Sequence, residues 1–93
     1  MSTVKLFANL RKVAGTKEAS ITGANIRAVV SELVKRYPAL AENLIEYHPD
    51  DLSGDGQIRP HVIITINGHP TTDPDTPVTE QDEIAIFPPI GGG

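Results

Sequence analysis

The residues best suited to chemistry come last: Phe87-Pro88-Pro89-Ile90-Gly91-Gly92-Gly93. Glycine has no Cβ, so three in a row give a backbone with wide freedom and almost no bulk. Such an end can thread a channel too narrow for side chains and present a bare α-carboxylate to another protein's active site. Pro88-Pro89 ahead of it favours an extended, polyproline-like exit and offers no N–H to continue a sheet. The stretch from Pro88 onward reaches about 20 Å at full extension, enough to leave a folded body and enter a partner. The alternative is a frayed end without a role, since termini are often poorly ordered. The body of the chain has to decide between the two.

The rest of the sequence offers little competing chemistry. There is no cysteine, which excludes disulfides and thiolate reactions in this chain, so any sulfur it handles comes from elsewhere. His48, His61 and His69 lack a compact metal-ligand spacing. Asp51-Leu52-Ser53-Gly54-Asp55-Gly56-Gln57-Ile58 reproduces half of an EF-hand loop, with oxygen ligands at alternate positions and glycine sixth. The twelfth position, which needs a bidentate Glu, is Val62, and Pro60 stands where the exiting helix should begin. Gly54-Asp55-Gly56 is not a phosphate loop, because neither a Lys-Ser/Thr ending nor a helix follows. The expectation is no catalytic residue, no metal and no bound cofactor.

Ninety-three residues fit one domain of modest stability. Apolar residues make up 39% and aromatics only 4%, so the core falls to Ile, Val, Leu and Ala. A formal net charge of −4 argues against nucleic-acid binding and mildly favours a basic docking surface on a partner. No apolar run is long enough to span a membrane and the N-terminus lacks a signal-peptide pattern, so the expected address is cytoplasmic.

Several elements must position the tail. Val4, Leu6 and Ala8 alternate on one face of a first strand, residues 4–8, and residues 9–17, with Gly15, read as a loop. Glu18 to Thr22 reads as a second strand, hairpin-paired with the first. Ile26, Val29, Val30, Leu33, Val34 and Tyr37 form one helical stripe, with Asn25 as N-cap, Lys35 and Arg36 in the last turn and Pro38 as the stop. Thr22 or Gly23 would cap an earlier start. Residues 39–47 read as a shorter helix and 48–60 as a polar loop. Residues 61–66 are nearly all apolar and β-branched, the pattern of an interior strand. Asn67-Gly68 then marks a tight turn. Residues 71–82 form a polar connection with a one-turn helix or minor strand near Val78, and Glu83 to Phe87 is the last strand. By pattern alone this order is α+β.

Two segments carry a family resemblance. Lys5-Leu6-Phe7-Ala8-Asn9-Leu10-Arg11 with Ala14-Gly15 is similar to the opening of ubiquitin-like sulfur-carrier proteins. Asp82-Glu83-Ile84-Ala85-Ile86-Phe87-Pro88-Pro89-Ile90 with Gly92-Gly93 resembles their C-terminus. The branch it most resembles holds the small subunit of molybdopterin synthase and the archaeal small modifier proteins. The resemblance implies a β-grasp fold: a mixed sheet of four to five strands packed on one main helix, first and last strands adjacent at its centre. It divides the chain into a β-grasp domain, residues 1–87, and a flexible Gly-Gly tail, residues 88–93. Gly91 takes the position of a small residue, Gly92-Gly93 is the functional pair, and the chain is read as already mature. The polar stretch from Asp50 to Arg59 is longer than in the thiamine-pathway carrier, which counts against a thiamine role.

The chemistry implied is borrowed chemistry. A ubiquitin-activating-type enzyme spends ATP to join Gly93 to AMP, and a sulfur donor converts the adenylate to a thiocarboxylate. The acceptor is a pterin precursor held by the large subunit of molybdopterin synthase. The chain is then a protein co-substrate, not an enzyme. Alternatively the adenylate passes to a lysine of a target protein, making an isopeptide bond. Lys5, Lys12, Lys17 and Lys35 are candidate self-modification sites or plain solvated charge. A β-grasp interaction module with an inert tail is a third reading. Partner recognition is expected at the tail and its root: Phe87, Pro88, Pro89, Ile90, Gly91 and Arg11. Phe87 is either an apolar anchor for a partner or a core residue. Arg11 pairs with an acidic partner group or is an ordinary exposed arginine.

Overall fold

Two strands lie side by side in the same direction near the middle of the sheet, and this pairing decides where the chain end emerges. The computed structural model describes residues 2–46, 57–58, 62–71 and 73–88. Its elements are β1 (Ser2–Leu6), α1 (Asn9–Ala14), β2 (Glu18–Ile21), α2 (Ile26–Arg36), a 3-10 turn (Pro38–Leu40), α3 (Ala41–Leu44), β3 (Ile45–Glu46), β4 (Gln57–Ile58), β5 (Ile63–Ile66), β6 (His69–Thr71) and β7 (Glu83–Phe87). Five strands form one sheet in the order β2-β1-β7-β5-β6, and β3 pairs with β4 separately. β1 and β7 are parallel, with Leu6 opposite Ile86. The remaining neighbours are antiparallel. A mixed sheet with this order, grasping a helix, is the ubiquitin-like β-grasp fold.

Alternation fixes which side chains face α2. Val4 and Leu6 of β1 and Ile84 and Ile86 of β7 are fully buried. Against them pack Ile26, Val29, Val30 and Leu33 of α2; burial of such side chains contributes roughly 1.5–3 kcal/mol each. Asn25 caps the helix, its Oδ1 accepting from the Ala28 N–H at 2.8 Å. Tyr37 leaves helical geometry at φ −127° and ψ 78°, just before Pro38. The Asn67-Gly68 turn has positive φ at both residues, 52° and 86°, and joins Ile66 to His69 across β5 and β6. Two left-handed residues in a two-residue hairpin match the twist of the flanking strands.

The structure corrects several expectations. Residues 9–14 are helical rather than loop. Ala8 does not continue the face of Val4 and Leu6: it is exposed, with φ 54°, and directs the chain into α1. The expected hairpin of the first two strands is therefore a pair joined through a helix. The second helix gives way to a 3-10 turn, one turn of α-helix and the extended Ile45–Glu46. Gln57–Ile58, expected as loop, pairs with β3. The minor strand is His69–Thr71, not the neighbourhood of Val78, where only an isolated Asn25–Pro77 bridge forms. Pro70 fits there because β6 is the outer strand, where a missing N–H costs no ladder bond.

Gly23 sits where the chain passes under α2. A Cβ there would fall 2.7 Å from the Val29 nitrogen and 2.8 Å from Val29 Cγ2. Backbone cannot give way cheaply, so Gly23→Ala is expected to destabilise by about 1–3 kcal/mol. In a domain of this size that lowers the melting temperature by several degrees. A thermal melt with an unchanged midpoint contradicts the close approach.

Asp82 clamps the far end of the sheet. Its Oδ2 accepts from the Thr79 N–H at 2.8 Å and its Oδ1 from Asn67 Nδ2 at 2.9 Å. The Thr79 backbone bond, then the Asn67 amide, hold its carboxyl below the usual carboxylate range. A depressed folded-state pKa contributes stability above the unfolded value of ~3.9, and that contribution disappears as pH falls through the folded value. Asp82→Ala is therefore expected to be less stable than the wild type at neutral pH, with the gap narrowing below about pH 4. Urea midpoints across pH check this; a gap that widens on acidification contradicts it.

Candidate functional site at the root of the tail

β7 alternates Ile84 and Ile86 into the core, so Ala85 and Phe87 turn to the opposite face, both half-buried. Phe87 is thus not a core residue. The parallel ladder extends one residue past β1: the Phe7 N–H donates to the Ile86 carbonyl at 3.2 Å. That bond brings Phe7 beside Phe87, and their rings stack with centroids 4.4 Å apart and planes 13° from parallel. Aromatic pairs of this kind contribute about 0.5–1.5 kcal/mol beyond their buried area.

Arg11 completes the arrangement from α1. Its guanidinium carbon lies 5.2 Å from the centre of the Phe7 ring, and its Nε donates to the Leu6 carbonyl at 2.8 Å. The Nε bond fixes the guanidinium plane while the rest of the group stays exposed. Phe87, immediately before Pro88, is held by the stack, so the direction in which the chain leaves the sheet is set by packing.

Across the sheet on the other side of β7, Ile63 of β5 stands in register with Phe87. It is 43% exposed, the one large apolar side chain so open among the described residues. Ile63, Phe87 and Phe7 thus form a row across β5, β7 and β1 on the face turned away from α2. Nearby on that face, Lys5 pairs with Glu83 at 3.0 Å.

Of the residues singled out from the sequence, Phe87 and Arg11 each contact Phe7 rather than one another, and Pro88 follows Phe87 directly, half-buried. Pro89, Ile90, Gly91, Gly92 and Gly93 lie outside the described residues, as do His48, His61 and most of the EF-hand-like stretch. His69 is on the outer strand β6, exposed. Among the described residues no group of three or more His, Asp or Glu could hold a metal ion, and no helix is long and apolar enough to cross a membrane. Phe7 and Ile63 were missed. The signal for Phe7 was present in the alternation of β1, opposite to Val4 and Leu6. Ile63 was hidden in a run of apolar residues that reads as buried on both faces.

Known proteins resemble this chain in sequence and in fold. The small archaeal modifier protein 3 of Haloferax volcanii is 31% identical over 96 residues, covering 97% of this chain and 96% of the relative. The molybdopterin synthase sulfur carrier subunit of Arabidopsis thaliana is 31% identical over 93 residues, covering 97% of this chain and 80% of its own. The solution structure of small archaeal modifier protein 1 from Methanosarcina acetivorans superposes with a TM-score of 0.87 at 37% identity, covering 99% and 95% of the two chains. The ThiS family pattern matches residues 4–93, taking in the sheet, α2, the stacked aromatics and the glycine end, and the chain belongs to the ThiS family.

Proposed function

We propose that this protein is a ubiquitin-like sulfur carrier for molybdopterin formation, activated at Gly93 and docked through the surface at the root of its tail. The observation that carries the reading is the Ile63–Phe87–Phe7 row beside the point where the chain leaves the sheet. A partner that covers this row receives the following residues in a fixed direction. A carboxylate is a poor acyl donor because its oxygen leaves badly. In the activating enzyme a Gly93 oxygen attacks the α-phosphorus of ATP and pyrophosphate departs. Hydrosulfide released by a donor protein then displaces AMP, leaving a thiocarboxylate. Its sulfur bonds to a carbon of a pterin precursor in the synthase large subunit as an oxygen group departs. Water cleaves the resulting thioester, freeing the sulfur on the pterin and restoring the Gly93 carboxylate. The chain supplies no acid–base group; it is a co-substrate.

The second reading is favoured by the similarity to small archaeal modifier proteins. There a lysine amine of a target displaces AMP, and an isopeptide bond forms. The two fates share the adenylate and diverge after it.

Intact mass spectrometry of the protein produced with its activating enzyme tests the proposal. A gain equal to the difference between sulfur and oxygen at the C-terminal residue supports the carrier. Isopeptide-linked Gly-Gly on other proteins supports the modifier; because Gly91 gives trypsin no cleavage site, a different protease is required. An unmodified mass in the presence of enzyme, ATP and sulfur donor, with no isopeptide-linked conjugate on other proteins, overturns both.

A further inference from the structure

Three cations without an ion pair among the described residues cluster at one end of the strand axis. β1 and β7 run parallel in register, so residues 7–17, which follow β1, sit at the end of the sheet where the tail departs. This segment carries Arg11, Lys12 and Lys17 and no Asp or Glu; Glu18, the next residue, opens β2 opposite Lys5 and offsets one of the three charges. All three are exposed and make no ion pair among the described residues. Lys17 is held there by its carbonyl, which accepts from the Leu6 N–H at 2.9 Å. The opposite end is the stretch leading into β7, tied to the start of β1 by Ser2 Oγ donating to the Thr79 carbonyl at 2.8 Å. Residues 73–83 carry Asp73, Asp75, Glu80, Asp82 and Glu83 and no Lys or Arg. Lys5, Arg27 and Lys35 are engaged with Glu83, Asp75 and Glu32.

We infer that this separation orients the protein tail-first on an activating enzyme whose tail entrance is bordered by Asp and Glu side chains. The inference rests on the carrier reading and commits to the activating enzyme, because either fate of the tail, sulfur or amine, begins there. A body of net charge −4 is repelled by such a border in most orientations. Approach by the tail end brings these three cations within a screening length of about 10 Å. Charge steering of this kind accelerates encounter by factors of about 10 or more and fades as salt rises. Net charge alone points to a basic docking surface; the placement of the charges reverses that at the end that matters.

The experiment is ATP–pyrophosphate exchange by the activating enzyme with the full chain, at low salt and at about 0.3 M NaCl, where the screening length is much shorter. Lys12→Glu and Lys17→Glu are compared with Arg27→Glu, which changes net charge equally but lies in the first turn of α2, beside Asp75 at the opposite end. Circular dichroism confirms folding of each. The expected result is a KM raised about three- to tenfold for the first two at low salt, kcat unchanged, with the difference collapsing at high salt. Arg27→Glu keeps the wild-type KM. Equal effects at all three positions, a salt-independent effect, or a lowered KM for Lys12→Glu overturns the inference while leaving the carrier reading intact. No exchange with the wild type overturns the carrier reading, and the inference with it.

Discussion

Removal of Gly92 and Gly93 is expected to reduce ATP–pyrophosphate exchange by the activating enzyme at least about 100-fold, with no change in fold. The truncated chain still ends in a carboxylate, but that group falls short by about 7 Å, two residues of extended backbone. Reacting groups must sit within fractions of an ångström of their in-line position, and a misplacement of 1 Å can cost about 100-fold. A carboxylate displaced by several times that distance is outside the reaction altogether. Stability is a separate matter. The buried apolar side chains among the described residues lie between Val4 and Ile86, so the cut removes none of them. The melting temperature is therefore expected to stay unchanged, while exchange is lost. Exchange at the wild-type rate would show that the glycine end is not the activated group. A collapsed melting temperature would show that the tail is part of the body rather than carried by it.

What was legible in the sequence was what is written in local pattern. The stripe from Ile26 to Tyr37 identified α2 because its apolar period, its Asn25 cap and its Pro38 stop agree. β7 was legible for the same reason, and Asn67-Gly68 because few residue pairs accept two left-handed conformations. α1 was not legible: of its six residues only Leu10 is buried, too few for a stripe, and its helix depends on packing against the 3-10 turn of Pro38–Leu40. The site was half legible. Phe87 and Arg11 follow from position and residue type, but Phe7 joins them only through the parallel register of β1 and β7, whose partners are about eighty residues apart. No local period reports a pairing that distant. The charge separation, by contrast, was visible in the order of residues and became meaningful only once the topology put the two stretches at opposite ends.

Phe87→Ala is expected to weaken binding to the activating enzyme and to the synthase large subunit by about 2 kcal/mol or more, roughly 30-fold in dissociation constant. The effect has two physical sources. Phe87 occupies the middle of the Ile63–Phe87–Phe7 row, flanked on both sides in register, and central aromatic residues tend to dominate interface energy. It also stacks on Phe7 at 4.4 Å, and without that ring the segment leading into Pro88 loses the contact that aims it. The first source predicts that Ile63→Ala weakens binding as well, though less, since Ile63 is at the row's edge. The second predicts coupling: once Phe87 is alanine, Phe7→Ala costs less than it does alone, and a double-mutant cycle by isothermal titration reads the difference. Phe87→Leu keeps apolar volume but not the stack, so it should retain more binding than alanine and show the same loss of coupling to Phe7. Folding remains largely intact in these variants, because Ile84 and Ile86 hold β7 in the core from the other face. If the dissociation constant of the alanine variant equals that of the wild type, the row is not the docking surface. If binding weakens but Phe7 and Phe87 prove additive, the row docks the partner without aiming the tail.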